Sequence, residues 1–203
     1  MRVIGGRLRG RRLASPSWSG LRPTSDRLRE SVFNVLGDRV LEATVADVCA
    51  GTGAVGIEAL SRGARQATFV ESDPRAVALI RENLRACGLD ARAAVVRADA
   101  AQWSAGANRA WDLVFADPPY DRPEANGLLR GLGQRVSEGG WVLFEHAWRD
   151  EPPEAEGLTR FRTLRAGDSA VSFYRPSVGV GDEPERAVGP EVPEAADPDR
   201  EPQ

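Results

Sequence analysis

From Ala43 onward the chain keeps one rhythm: short apolar runs of strand length alternate with amphipathic stretches of helix length. Residues 44–49, 67–70, 93–96, 111–116 and 141–145 read as strands. Asp73 and Pro74 supply an N-cap and a first-turn proline for a helix running to about Cys87, with Gly88 at its exit. A further helix spans roughly 124–136. Strands alternating with helices of this size predict an α/β fold, a doubly wound, mostly parallel sheet. Residues 159–165 and 170–175 flank Gly167-Asp168 and predict a C-terminal antiparallel hairpin.

In such sheets ligands bind outside the carboxyl ends of the strands, and here four consecutive strand ends carry special residues. The first opens into Ala50-Gly51-Thr52-Gly53-Ala54-Val55-Gly56, a spacing that lets backbone approach a ligand beside a helix N-terminus. The second ends in Glu71, 20 residues beyond Gly51, where an acid can accept from ribose hydroxyls. The third is followed by Asp99, which can accept from an adenine amino group. Asp47, inside the first strand, suits a ligand with cationic groups better than a pyrophosphate, and favours S-adenosylmethionine over a dinucleotide. Each acid alone is equally well read as a helix cap or a loop residue.

The fourth strand ends in Asp117-Pro118-Pro119-Tyr120. Two prolines stop a strand and stiffen the backbone after it, leaving carbonyl acceptors without adjacent N–H groups. A carboxylate, rigid carbonyls and an aromatic face suit a flat ring bearing an amino group. An Asp-Pro-Pro turn with Tyr120 packed on the core stays open as the alternative.

Net charge is −3 over 203 residues, but its distribution matters more. Residues 1–30 hold eight arginines against two acids, and residues 176–203 hold eight acids against two arginines. A basic head suggests an anionic partner, phosphate backbones first. The head contains an alternating stretch around Gly5-Gly6, read as a hairpin, a loop over 14–23, and a helix capped by Thr24 or Ser25 and ending near Gly37. The tail holds six prolines and no aromatic residue, the composition of a disordered segment. The expected organisation is a basic extension over 1–37, a catalytic domain over 38–175 and an acidic tail over 176–203. Cys49 and Cys87 form no metal-ligand spacing or disulfide framework, and no metal is expected. Without a membrane-length apolar run or signal peptide, a cytoplasmic protein is expected, with a monomer as default.

Residues 2–175 resemble the RsmD-type 16S rRNA guanine-N2 methyltransferases. The resemblance rests on Arg-Val-Ile-Gly-Gly at 2–6, Arg-Gly-Arg at 9–11, Gly-Leu-Arg-Pro-Thr at 20–24 and Asp-Arg-Leu-Arg-Glu at 26–30. Phe-Asn-Val-Leu at 33–36, the segment 49–56, Ile-Glu-Ala-Leu-Ser-Arg-Gly-Ala at 57–64 and Asp-Pro-Pro-Tyr at 117–120 continue it. It implies a Rossmann-like class I fold, S-adenosylmethionine as cofactor, and a guanine in a small-subunit rRNA hairpin loop as substrate, within 30S subunits or their assembly intermediates. It assigns the cofactor to Asp47, Ala50, Gly51, Thr52, Gly53, Gly56, Glu71, Ser72, Asp99 and Ala100. The target base falls to Asp117, Pro118, Pro119 and Tyr120. The basic head supplies the RNA contacts: Arg2, Arg7, Arg9, Arg11, Arg12, Arg22 and Arg27, with Thr24. Glu145 reads as a hydrogen-bonding residue near the site and His146 as structural. Two further readings stand beside this one, an adenine-N6 methyltransferase and a noncatalytic RNA-binding assembly factor.

Overall fold

The computed structural model describes residues 1–16, 18, 25–106, 111–119 and 125–177. Seven strands form one sheet in the order β3-β2-β1-β4-β5-β7-β6. They are β1 (Thr44–Val48), β2 (Gln66–Glu71), β3 (Ala93–Arg97), β4 (Trp111–Ala116), β5 (Val136–Ala147), β6 (Leu158–Ala166) and β7 (Ser169–Pro176). The first five pair in parallel, whereas β7 runs antiparallel to both β5 and β6. The chain builds outward from β1 to β3, then restarts at β4 on the other side. The switch point therefore lies between β1 and β4, where ligands of such sheets bind.

Helices cover both faces, so the central strand β1 is buried along its whole length. On one face α1 (Asp26–Leu36), α2 (Ala54–Ser61) and α3 (Pro74–Cys87) pack through Leu28, Phe33, Ile57, Ile80 and Leu84. On the other, α4 (Ala100–Ser104) and α5 (Ala125–Arg135) pack through Ala100, Leu128, Leu129 and Leu132. The capping chemistry follows the sequence. The Ser25 hydroxyl accepts from the Leu28 amide at 3.2 Å, and Asp73 accepts from the Arg75 amide at 2.8 Å ahead of Pro74. Gly88 closes α3 at φ 65°, a left-handed value that glycine takes without steric cost.

Two expectations need correction. The Gly5-Gly6 pair does not turn a two-stranded hairpin: one antiparallel bridge, Arg2 to Arg12, closes a loop containing a single 3-10 turn over Gly6–Leu8. The reason is that Ile4, Gly5 and Leu8 give their amides to α2 side chains instead of to a partner strand. Strand β5 also begins at Val136 rather than Trp141, directly after α5. Its register against β4 shifts between Trp111 and Leu113, and Gly139, at φ 77°, interrupts the apolar pattern there. The acidic tail lies outside the described residues. Among those described, no helix is long and apolar enough to cross a membrane.

Candidate active site

The site is built at the carboxyl ends of β1, β2, β4 and β5. Past β1 the backbone turns left-handed at Cys49 (φ 58°), Gly51 (φ 54°) and Gly53 (φ 76°) before entering α2. For Cys49 that conformation is uncommon; for the glycines it is free. A Cβ on Gly56 would stand 2.4 Å from the buried Phe69 ring and 3.2 Å from the Asp47 carboxylate. Glycine at 56 therefore lets α2 lie directly on β2. Asp47, buried in β1, accepts the Gly56 amide at 2.8 Å. Burial pushes its carboxyl up to about 7 against the lowering pull of that amide, with Glu71 adding to the rise and Arg29 opposing it.

Glu71 ties the glycine loop to the end of β2. One carboxylate oxygen accepts from the Gly51 amide at 2.9 Å, and the other from the amides of Ser72 at 2.7 Å and Asp73 at 2.9 Å. An ionised carboxylate has about four acceptor positions, so the oxygen on Gly51 keeps room for a further donor. Asp99 caps α4, accepting from Ala101 at 2.9 Å and Gln102 at 3.3 Å. Ala100 is buried at the first position of that helix. The loop, Glu71 and Asp47 thus converge at one end of the sheet, with acceptors for hydroxyl and amino groups and backbone free of side chains. This arrangement fits S-adenosylmethionine.

Asp117 follows β4, its amide donating to the Val48 carbonyl at 3.2 Å, which sets it across the switch point from the glycine loop. A cavity of about 30 Å³ lies beside Asp117 under α1, lined by Arg29, Phe33, Asp47, Phe115, Asp117 and Glu145 among others. Burial drives the Asp117 carboxyl well above the usual carboxylate range, and the neighbouring charges of Glu145 and Asp47 push it the same way. Beyond Asp117 a larger cavity of about 190 Å³ is lined by Pro118, Pro119, Glu145, Asp150 and Glu151. Glu145 borders both cavities. Its neighbour His146 accepts or donates only within the fold: Nδ1 lies 2.9 Å from the Ala147 carbonyl and Nε2 3.0 Å from the Ser172 hydroxyl. Tyr120, Arg22 and Thr24 lie outside the described residues.

The N-terminal segment docks on α2 and α3. The buried Glu58 carboxylate accepts the Ile4 and Gly5 amides, both at 2.7 Å, and the Arg62 guanidinium at 2.7 Å. Asn83 of α3 accepts from the Ala14 amide at 2.7 Å and donates to the Thr52 carbonyl at 3.1 Å, so one side chain holds both the segment and the glycine loop. Arg2, Arg7, Arg9, Arg11, Arg12 and Arg27 are all exposed. Arg2 faces Asp26 at 3.7 Å, and Arg11 donates to the Ala86 carbonyl.

Arg29 and Glu58 escaped sequence reasoning. Arg29 is 1% exposed and donates to the Arg2 carbonyl at 2.7 Å and to Asp26 at 3.0 Å, with Glu58 3.8 Å from its Nε. A signal for Arg29 exists: with Phe33 and Leu36 it follows the i, i+4, i+7 spacing of the buried face. Glu58 offers none, since its amide partners are more than 50 residues away.

Residues 1–175 match the family described as conserved hypothetical protein 95. The ribosomal RNA small subunit methyltransferase D of Escherichia coli K12 is 39% identical over 182 residues, covering 86% of this chain and 89% of that protein. The solved structure of yhhF from Escherichia coli superposes with a TM-score of 0.78 at 33% identity, over 87% of this chain and 97% of that one. The structure of SMU.776, solved with SAH, shares the fold at a TM-score of 0.57 and 18% identity, over 70% of this chain and 48% of that one. The sheet order, the glycine loop at its switch point and these likenesses place the chain in the RsmD family of class I, S-adenosylmethionine-dependent methyltransferases.

Proposed function

We propose that this protein methylates the exocyclic N2 amine of one guanine in a hairpin loop of 16S rRNA, within small ribosomal subunits or their assembly intermediates. The observation that carries the reading is the placement of Asp117 and Pro118, acceptors at the end of β4, directly across the switch point from the loop that suits the cofactor.

Bound S-adenosylmethionine supplies a methyl group already activated on a cationic sulfur. The glycine loop and Glu71 hold the cofactor, Glu71 through the acceptor position it keeps beside Gly51. Asp47 favours its cationic end. Asp117 and the Pro118 carbonyl accept the two N–H bonds of the guanine amine, turning its nitrogen toward a tetrahedral shape with the lone pair aimed at the methyl. The cofactor would supply the methyl carbon to that nitrogen, its sulfur keeping the electron pair of the S–C bond. Positive charge growing on the nitrogen is stabilised by the fixed carboxylate. The raised affinity of Asp117 for a proton then suits it to take the one that leaves the amine. Alignment supplies much of the acceleration. Tyr120 stacks on the base, worth ~1–3 kcal/mol, and a loop guanine leaves its stack at lower cost than a paired one. The exposed arginines of residues 2–12, with Arg22 and Arg27, hold rRNA phosphates.

The test uses methyl-labelled S-adenosylmethionine and small subunits from cells lacking this enzyme, followed by analysis of the rRNA nucleosides. Label in N2-methylguanosine at a single loop is expected. Label only in adenosine, or none, overturns the reading.

A further inference from the structure

The opposite edge of the sheet carries a feature the catalytic scheme does not use. Among the described residues three large apolar side chains are exposed, and two of them, Trp148 (42%) and Phe161 (37%), lie along the β5–β6–β7 edge. Each has a guanidinium stacked on it: Arg165 sits 4.6 Å from the Trp148 ring centre, and Arg175 sits 5.8 Å from that of Phe161. Arg39 covers the adjoining Trp141 ring at 4.2 Å, and Trp141 meets Phe161 edge-on at 4.7 Å.

Residues 158–176 hold four arginines and one acid, Asp168, in a chain whose net charge is negative. Arg160, Arg162, Arg165 and Arg175 are all exposed. The register shifts between Arg160 and Arg162, which pair with Tyr174 and Phe173 respectively. Since Tyr174 and Phe173 point to opposite faces of the sheet, the shift sends one arginine to each side of the edge. Strand β6 runs parallel to β5, so Arg165 and Trp148 stand at the carboxyl end of the sheet, beside the Ala147–Ser169 pair. Ala147 itself lines the larger cavity next to Pro118, as do Asp150 and Glu151. The two pairs flank the edge, Phe161 with Arg175 on the Phe173 face and Trp148 with Arg165 on the other, and the second reaches the mouth of the substrate cavity.

From this geometry we infer that the β6 edge, with Trp148, is a second contact strip for RNA, receiving the single-stranded nucleotides that flank the target base. Guanidiniums interleaved with exposed aromatic rings match alternating phosphates and base faces. The N-terminal arginines lie over α2 and α3, and this strip lies beyond β5 and β7 at the far edge of the sheet. The inference rests on the reading under Proposed function.

Two variants test it: Trp148→Ala, and the combined Arg160→Gln, Arg162→Gln, Arg165→Gln and Arg175→Gln. The probe is a fluorescent single-stranded RNA carrying the target loop, titrated at several salt concentrations, with cofactor affinity and melting temperature as controls. Trp148→Ala should weaken binding roughly tenfold and Trp148→Phe should restore it. The arginine variant should flatten the slope of log K against log salt by about 2–3, from about 0.7 per lost phosphate contact. Cofactor affinity should hold in both. Parent-like affinity and slope would overturn the inference and leave the arginines as guards against edge-to-edge strand pairing. Variants that bind free RNA normally but lose assembled subunits would overturn it in favour of a ribosomal protein contact. Methylation of subunits by the parent separates the two readings: if it fails, both fall, and if it succeeds while the variants behave as parent, only the strip falls.

Discussion

Asp117 and Glu145 stand side by side, one rung beyond the Ala116–Phe144 pair of the parallel strands β4 and β5. Both border the same small cavity as Asp47. Burial raises the proton affinity of Asp117, and the neighbouring charges of Glu145 and Asp47 add to the rise; buried Asp47 is raised as well.

Turnover should therefore rise with pH as Asp117 ionises, with an apparent pKa above the ordinary carboxylate range. Glu145→Gln removes one negative neighbour, favours ionised Asp117 and should move that acid limb to lower pH. Asp117→Ala should abolish turnover and leave cofactor affinity within about an order of magnitude of the parent. A pH–rate profile with calorimetric cofactor titration checks all three. An acid limb that stays put in Glu145→Gln would remove Glu145 from the tuning of the site.

Asp47 should leave its mark on stability. Its folded carboxyl titrates near 7 against an unfolded value of 3.8. Between these values the native state binds the extra proton, so stability falls as pH rises from about 4 to 7 and stays reduced above. The effect is on the order of a few kcal/mol. Asp47→Asn keeps an acceptor for the Gly56 amide and removes the titration. Urea midpoints at pH 5 and pH 8 should converge in the variant relative to the parent.

Gly56→Ala puts a methyl group 2.4 Å from the Phe69 ring. Overpacking of this kind costs about 1–3 kcal/mol, and displacement of α2 should weaken cofactor binding as well. Trimming the ring with Phe69→Leu in the same chain should recover part of the loss. An alanine variant as stable as the parent would show that α2 and β2 are free to separate.

Glu58→Ala strips a buried carboxylate from two amides and leaves Arg29 in the interior without its acidic neighbour on α2. Breaking such a buried pair costs about 3–5 kcal/mol. Trypsin should then cut at Arg7 and Arg9 faster than in the parent, at a temperature where the rest of the fold persists. Equal cleavage rates would mean that the segment is held by other contacts.

Much of the frame was written in local chemistry. Asp73, Pro74 and Gly88 delimit α3 because a cap, a first-turn proline and a left-handed exit act within a few residues of themselves. The glycine loop and Asp117 were legible because their positions at strand ends follow from the alternation alone. The first half of β5 was hidden by Gly139-Gly140, which breaks the apolar pattern where the pairing with β4 shifts register. Helix α4 is too short, at five residues, to show a period. The Glu58–Arg29 pair was hidden for a different reason: a charged residue on a helix reads as solvent-facing until its distant partners are known.

Asn83 reaches Ala14 on one side and Thr52 on the other. Helix α3, the glycine loop and the opening residues of the chain therefore lack independent routes to opening. In native-state hydrogen exchange their amides should report one shared free energy of exposure, as a single cooperative unit. Cofactor added to the free protein should then slow exchange at Ala14, a residue at which no cofactor contact has been assigned.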